Sequence, residues 1–169
     1  MLALELKDYI RKYIEENYTF STHSEGIIEE FPVLYCGKAL ALNTVAAETL
    51  DDILANVDES FSRMLFKIID AKNLTDPEVY RKAQLDRRLF SKIRKDVFYQ
   101  PSRNTAIALA FGLKLNLEQT QEFIGRAGYV LTHSSKFDLI VEYFIKEEIF
   151  DVNLLNDVLF DYELPLLKP

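Results

Sequence analysis

The sequence contains a single cysteine, Cys36, no tryptophan, and only five glycines and five prolines. With one cysteine, the chain can form no internal disulfide and no zinc site built from several cysteines. The scarcity of glycine and proline, together with 49% hydrophobic residues, is typical of an ordered chain rather than a disordered one. These features fit a folded protein of a reducing compartment.

Long apolar runs are also missing. No stretch of the sequence approaches the roughly 20 apolar residues needed to span a bilayer. Acidic residues from Glu5 onwards interrupt the N-terminus too early for the apolar core of a signal peptide. We therefore predict a cytoplasmic protein with no membrane partner.

Patterns that would indicate catalysis or metal binding are equally scarce. The two histidines, His23 and His133, have no set of ligands near them in the sequence, and we expect surface or capping roles for them. His133 precedes Ser134 and Ser135, but no nucleophile-elbow pattern surrounds these serines. Cys36 is better explained as a small buried residue than as a reactive thiol. The sequence therefore predicts a protein that is not an enzyme and that needs no metal or cofactor.

Positive charge is deficient overall but is concentrated in the middle of the chain. The net charge is −7, which by itself disfavours a nucleic-acid ligand. Residues 59–128, however, carry 13 Lys and Arg against 8 Asp and Glu, a net of +5, whereas the remaining sequence carries 7 against 19, a net of −12. A basic central segment between acidic ends can still bind an anionic partner.

Hydrophobic spacing and capping residues predict an all-α fold. Apolar residues at three- and four-residue intervals and Ser, Thr, Asp or Asn before such runs are typical of helices. The 12 phenylalanines mostly fall at helical spacing, and we expect them to form the core. Between Thr19 and Gly37 we predict a loop with a short strand. Predicted helices cover residues 4–18, from Asn43 or Thr44 to about Asn56, from Asp58 or Ser60 onwards, from Thr75 to about Ala83, 87–95 after Asp86, from Pro101-Ser102 onwards, from Asn116 to near Gly128, from Ser134 or Ser135 onwards, and from Asp151 to a point before Leu164.

Two short helices and a tight turn within the basic segment form the pattern of a helix-turn-helix. Residues 78–83 supply the first helix, residues 84–86 the turn, and residues 87–95 the second helix. In such a motif the second helix reads the DNA major groove while the first braces it across the backbone. The inward arc of the second helix is Leu89, Phe90 and Ile93, and its outward side chains are Arg87, Arg88, Ser91, Lys92 and Lys95.

This ordered set resembles the Cro/lambda-repressor (XRE-type) family. Ala83, Leu85, Ser91 and Ile93 fall where that family places its packing alanine, turn hydrophobe, helix serine and core isoleucine. The resemblance covers about 70 residues and includes the alanine-rich helix after Pro101-Ser102. It implies a five-helix lambda-repressor-like core with additional N- and C-terminal helices, divided into an acidic, mostly helical segment 1–58, the helix-turn-helix core 59–128, and a C-terminal extension 129–169 packed on that core.

A second set of residues resembles an uncharacterised bacterial domain often found C-terminal to macrodomains. That resemblance implies that residues 59–167 form one unit, and it implies no biochemical activity. The first 58 residues are too short for a macrodomain. The resemblance to this bacterial domain lies in the segments Phe90-Ser91-Lys92-Ile93-Arg94, Tyr99-Gln100-Pro101-Ser102, Thr105-Ala106-Ile107-Ala108-Leu109-Ala110, Arg126-Ala127-Gly128-Tyr129 and Ser134-Ser135-Lys136-Phe137-Asp138-Leu139-Ile140.

Three residues depart from the DNA-binding pattern. Arg94 stands where XRE-type domains often carry glutamate, and Asp96 stands where they usually have glycine. Asp76 lies at the start of the bracing helix, where a phosphate-contacting polar residue is common and where a carboxylate would repel phosphate. These departures favour a second hypothesis beside DNA binding.

Two functions remain open from the sequence. The first is an XRE-type transcriptional regulator that binds double-stranded DNA as a homodimer, with residues 1–18 or 137–160 supplying the self-association surface. The second is a non-enzymatic helical adaptor or antitoxin-like module of a bacterial stress or phage-defence system, which binds a protein partner through its acidic flanks or its basic face. For the first, we expect base contacts from Arg87, Arg88, Ser91 and Lys92 and backbone contacts from Lys95, Tyr99 and Arg103.

Overall fold

The computed structural model describes residues 2–18 and 58–169, with side chains from residue 6 onwards in the first range. Residues 2–18 and 59–169 belong to one compact unit. Several sequence predictions lie outside the described residues: the helix from Asn43 or Thr44, the strand between Thr19 and Gly37, and the roles of His23 and Cys36.

The described residues form eight α-helices and no strand, which confirms the all-α prediction. None of these helices is both long and apolar enough to cross a bilayer. In chain order they are α1 (Leu2–Asn17), α2 (Phe61–Ala71), α3 (Asp76–Lys82), α4 (Arg87–Lys95), α5 (Arg103–Gly112), α6 (Leu117–Gly125), α7 (Lys136–Lys146) and α8 (Val152–Asp161).

Each helix from α2 to α8 begins where a capping residue predicts it. Such side chains satisfy backbone N–H groups that have no partner within the helix. At α3, the Thr75 N–H and hydroxyl donate to the Glu78 carboxylate at 2.8 and 2.7 Å. At the other six starts, the side chain accepts from a backbone N–H one turn into the helix: Ser60, Asp86, Ser102, Asn116, Ser135 and Asp151.

Five helices end in one recurring way that the sequence reasoning did not predict. The residue after the C-cap adopts a left-handed backbone although it is not glycine, and the following Leu or Ile donates its N–H back to the last turn. In α3, for example, Gln84 has φ 54° and the Leu85 N–H donates to the Tyr80 carbonyl at 2.8 Å. This is the Schellman motif, which is more often built on glycine. The left-handed residues are Asn73, Gln84, Lys114, Glu148 and Glu163.

The core is built around α5 and α7. Every residue from Thr105 to Gly112 and from Asp138 to Ile145 is buried. Helix α5 packs on α3 and α6, while α7 packs on α1, α6 and α8. Of the ten phenylalanines that the structure describes, five are buried and three are partly buried, but Phe98 and Phe160 are 85% and 72% exposed.

Helix α1 packs on α7, a helix of the C-terminal extension. Ile10 and Ile14 are buried, and the Tyr13 ring centroid lies 5.2 Å from that of Tyr143. Apolar burial and ring contacts therefore hold α1 on the same unit as the later helices.

Candidate nucleic-acid interface

The turn between α3 and α4 is held by buried apolar side chains. Ala83 is completely buried and Leu85 is 7% exposed, so both turn residues predicted to pack do so. Asp86 accepts the Arg88 N–H at 2.6 Å and starts α4. The side of α3 that faces α5 leaves no room for a side chain at Gly112, because a Cβ there would lie 2.9 Å from the Val79 carbonyl oxygen. The position of α3, and through the turn that of α4, depends on this close approach.

The inner face of α4 fixes which side of the helix points outward. Phe90 and Ile93 are buried, as predicted. The Phe90 ring meets those of Phe66 and Tyr80 with centroids 5.8 Å apart in each case. Because these rings anchor one side of α4 to α2 and α3, the opposite side is presented to solvent.

The outer side of α4, which we call the basic face, consists of five exposed side chains that were predicted to lie together. With Asp96 they line a shallow depression of about 670 Å³. Among residues 6–18 and 58–169, no carboxylate forms an ion pair with any of the four cations. Their charge is therefore available to an anionic ligand. The basic face is Arg87, Arg88, Ser91, Lys92 and Lys95.

Two of the three departures from the DNA-binding pattern pair with each other. Arg94, near the end of α4, forms an ion pair with Asp76, the first residue of α3. Its guanidinium carbon also lies 4.1 Å from the centroid of the Phe66 ring. The carboxylate that was expected to repel phosphate is thus matched by a cation of the neighbouring helix.

The third departure, Asp96, organises the turn that follows α4. Its carboxylate accepts the Phe98 N–H at 3.0 Å, and its carbonyl accepts the Tyr99 N–H at 3.1 Å. Two serines hold this turn against α2. Ser62, within α2, donates its hydroxyl to the Asp96 carbonyl at 3.0 Å, and Ser60, the N-cap of α2, donates its hydroxyl to the Val97 carbonyl at 2.6 Å. At the position where a glycine was expected, Asp96 therefore turns the chain by means of these hydrogen bonds.

Tyr99 lies beside the basic face, whereas Arg103 is held elsewhere. The Lys92 Nζ is 5.3 Å from the centroid of the half-buried Tyr99 ring. Arg103, at the start of α5, forms an ion pair with the buried carboxylate of Asp138 and donates to the Val130 carbonyl at 3.2 Å. Arg103 thus joins α5 to α7, and its predicted contact with the DNA backbone has no support from this placement.

A second polar cluster, between α1 and α7, surrounds the buried carboxylate of Glu142, which is 3% exposed. It accepts the Tyr13 hydroxyl at 3.0 Å and the Lys146 ammonium at 2.6 Å, and His133 Nε2 lies 3.0 Å away. The Lys146 ammonium also donates to the Tyr13 hydroxyl at 2.8 Å. His133 was expected to be an ordinary surface or capping residue, and its contact with Glu142 was not predicted.

Burial and mutual hydrogen bonds shift the pKa values of the residues in this cluster. Burial raises the pKa of Glu142, but hydrogen bonds from Lys146 and Tyr13 and the nearby charges lower it by more, so the net pKa lies below its ordinary value. The hydrogen bond to Glu142 raises the pKa of Lys146, and burial raises the pKa of Tyr13. Since Glu142 is enclosed by its own partners, the cluster is an internal link rather than an open site.

Within residues 6–18 and 58–169, no group of three or more His, Cys, Asp or Glu side chains could hold a metal ion. Comparison of the chain with protein-family models, curated proteins and solved structures gives no significant match. The basic face and its adjoining turn are therefore interpreted from their own geometry and charge.

Proposed function

We propose that the protein binds double-stranded DNA, with α3 and α4 acting as a helix-turn-helix of the Cro/lambda-repressor type. The observation that carries the proposal is the basic face of α4, whose four cations have no carboxylate partner among the described residues. Unpaired cations on one side of a short, firmly anchored helix suit a polyanion whose groove admits a helix.

Side chains at the two ends of α4 would contact different parts of the DNA. Arg87 and Arg88 stand in its first turn, where recognition helices contact base edges, and each well-placed bidentate contact to guanine would contribute about 1–3 kcal/mol of discrimination. Lys95 and Tyr99, at the other end, would contact the phosphate backbone. The Asp76–Arg94 ion pair supports this assignment, because it offsets the carboxylate nearest the bracing helix.

A homodimer is part of the proposal. Helix-turn-helix proteins of this type commonly bind two half-sites across a two-fold axis. Tyr9 on α1 and Phe160 on α8 are 67% and 72% exposed, and they lie in the two segments predicted to self-associate. Sedimentation equilibrium of the full chain tests this point, and a monomer at all concentrations up to those that saturate DNA would refute it.

The decisive experiment selects duplexes from a random pool and then measures affinity by fluorescence anisotropy over a salt series. If all four cations displace counterions, the slope of log K against log salt is about −3.6, and affinity falls about 150-fold between 50 and 200 mM salt. The variant Arg87→Ala/Arg88→Ala should lose both affinity and part of the slope.

The matched control is Lys136→Ala/Lys168→Ala, which removes the same charge from two exposed positions outside α3, α4 and the segments proposed to self-associate. This control should bind as the wild type does. Selection of no duplex, or binding by Arg87→Ala/Arg88→Ala that equals the control, would refute the proposal.

The second candidate is an adaptor or antitoxin-like module that binds a protein partner. The net charge of −12 outside residues 59–128 favours it. A stable complex recovered with the tagged full chain and lost on neutralising acidic residues, together with no salt-dependent DNA binding, would support this candidate instead.

A further inference from the structure

Phe98 is the most exposed of the large apolar side chains in the described part of the chain. It is 85% exposed, and its neighbour Val97 is 37% exposed. Placing a phenyl ring in water forgoes about 2–3 kcal/mol that burial would supply. The core accepts many aromatic rings, yet the Phe98 ring makes no ring–ring contact among the described residues.

The backbone that carries Phe98 is held by hydrogen bonds. Its own N–H donates to the Asp96 carboxylate, and the carbonyls of Asp96 and Val97 accept hydroxyl groups of Ser62 and Ser60. The turn is therefore anchored to α2 and its cap through two successive carbonyls. An exposed ring on an anchored turn loses little backbone freedom when it binds, which lowers the entropic cost of using it as a contact.

The electrostatic surroundings of Phe98 indicate what it contacts. Phe98 follows Lys95 by three residues, and the depression of the basic face extends to Asp96, at the base of the same turn. The Asp96 carboxylate accepts the Phe98 N–H. An exposed apolar ring on the turn that follows the basic helix suits a ligand that combines phosphates with flat apolar surfaces, and nucleic-acid bases between their phosphates have that combination.

We propose that Phe98 is a base-stacking wedge that enters the duplex beside the groove occupied by α4 and partly unstacks one base step. This inference rests on the proposed DNA binding and deepens it. Cations of α4 hold the backbone, while the ring inserts and distorts the duplex at one edge of the site.

The test uses the full-length protein and a selected duplex in which 2-aminopurine, an adenine analogue that brightens when unstacked, replaces single bases in turn. Wild-type protein should brighten the probe at one step of each half-site. The variant Phe98→Ala should abolish this signal and weaken binding about 5- to 100-fold, with the salt slope unchanged because no charge is lost.

Val130→Ala is the control, since it removes an apolar side chain that is 57% exposed and lies outside the two segments proposed to self-associate. It should leave both the affinity and the 2-aminopurine signal at wild-type values. Both variants remove exposed apolar side chains, so their unfolding temperatures should equal that of the wild type.

The outcomes separate the wedge from the proposed function. Salt-dependent binding with the same affinity and probe signal in Phe98→Ala as in the wild type overturns the wedge and leaves the proposed function standing. Binding that brightens no probe position also overturns it. Absence of duplex binding by the wild type overturns both.

Discussion

Substitution of Gly112 by alanine should destabilise the protein although alanine is the better helix former. Gly112 is the last residue of α5, and an added Cβ would lie 2.9 Å from the Val79 carbonyl oxygen and 3.0 Å from the Ala83 Cβ. The Val79 oxygen is backbone and accepts the Ala83 N–H at 2.9 Å. Because no flexible side chain can yield, α3 must move away from α5.

The magnitude follows from two opposing effects. Overpacking of a tight contact costs about 1–3 kcal/mol, while replacing a helical glycine by alanine gains up to about 1 kcal/mol. The net expectation is a loss of about 1–2 kcal/mol in the free energy of unfolding. For a protein of this size the unfolding temperature should then fall by about 2–8 °C.

Gly125 provides the matched control, since it is also the last residue of its helix but a Cβ there meets nothing within 4 Å. Urea and thermal unfolding, followed by circular dichroism at 222 nm, should show Gly125→Ala as neutral or more stable than the wild type and Gly112→Ala as less stable. Equal effects of the two substitutions, or a stable Gly112→Ala, would refute the close-packing argument. Since α3 positions α4, Gly112→Ala should also weaken DNA binding.

Three further predictions concern single residues. Glu148→Gly should raise the free energy of unfolding by about 0.5–1 kcal/mol in urea melts, because Glu148 has φ 56° and glycine adopts that conformation without steric cost; a loss of stability would contradict this. Asp76→Ala should lower the free energy of unfolding by less than about 1 kcal/mol, since its ion pair with Arg94 is partly solvated. The substitution should also steepen the slope of log K for DNA binding against log salt. Weaker DNA binding would count against the proposed role of the pair. Glu142→Gln should lower stability by about 1–3 kcal/mol, and it should flatten the pH dependence of hydrogen exchange in α1. Folding lowers the pKa of Glu142 and raises that of Lys146, so their ion pair stabilises the wild type fully between the ordinary pKa values of 4.5 and 10.5. This stabilisation is lost as the pH falls through the lowered pKa of Glu142 or rises through the raised pKa of Lys146. Hydrogen-exchange protection of α1 that does not change with pH would contradict this prediction.

Helix starts were predictable because capping is local. A Ser, Asp or Asn side chain bonds a backbone N–H two or three residues along the chain, so the sequence carries both partners. Helix ends were harder to predict. The left-handed residues at Gln84, Lys114 and Glu148 carry no glycine signal, and the apolar residue that follows each of them was the only local sign.

The three departures from the DNA-binding pattern show where a local interpretation fails. Asp76 and Arg94 are 18 residues apart, and their ion pair exists because α3 and α4 pack together. Ser62 holds the carbonyl of Asp96 and Ser60 that of Val97, and each serine precedes its partner by more than 30 residues. From the sequence alone, each of these residues looked unfavourable for a helix-turn-helix.

By itself the sequence determined the helical class of the described segments, the starts of their helices and the amphipathic division of α4, since all of these depend on periodicity and short-range hydrogen bonds. Tertiary structure alone decided which cations find a carboxylate partner among the described residues. Arg103 was grouped with the cations of α4, but a buried carboxylate, Asp138, reaches it across 35 residues. Tertiary structure also left Phe98 in solvent, although its residue type predicts burial. Pairing and exposure depend on which distant elements meet, and the spacing of residues along one chain segment does not contain that information.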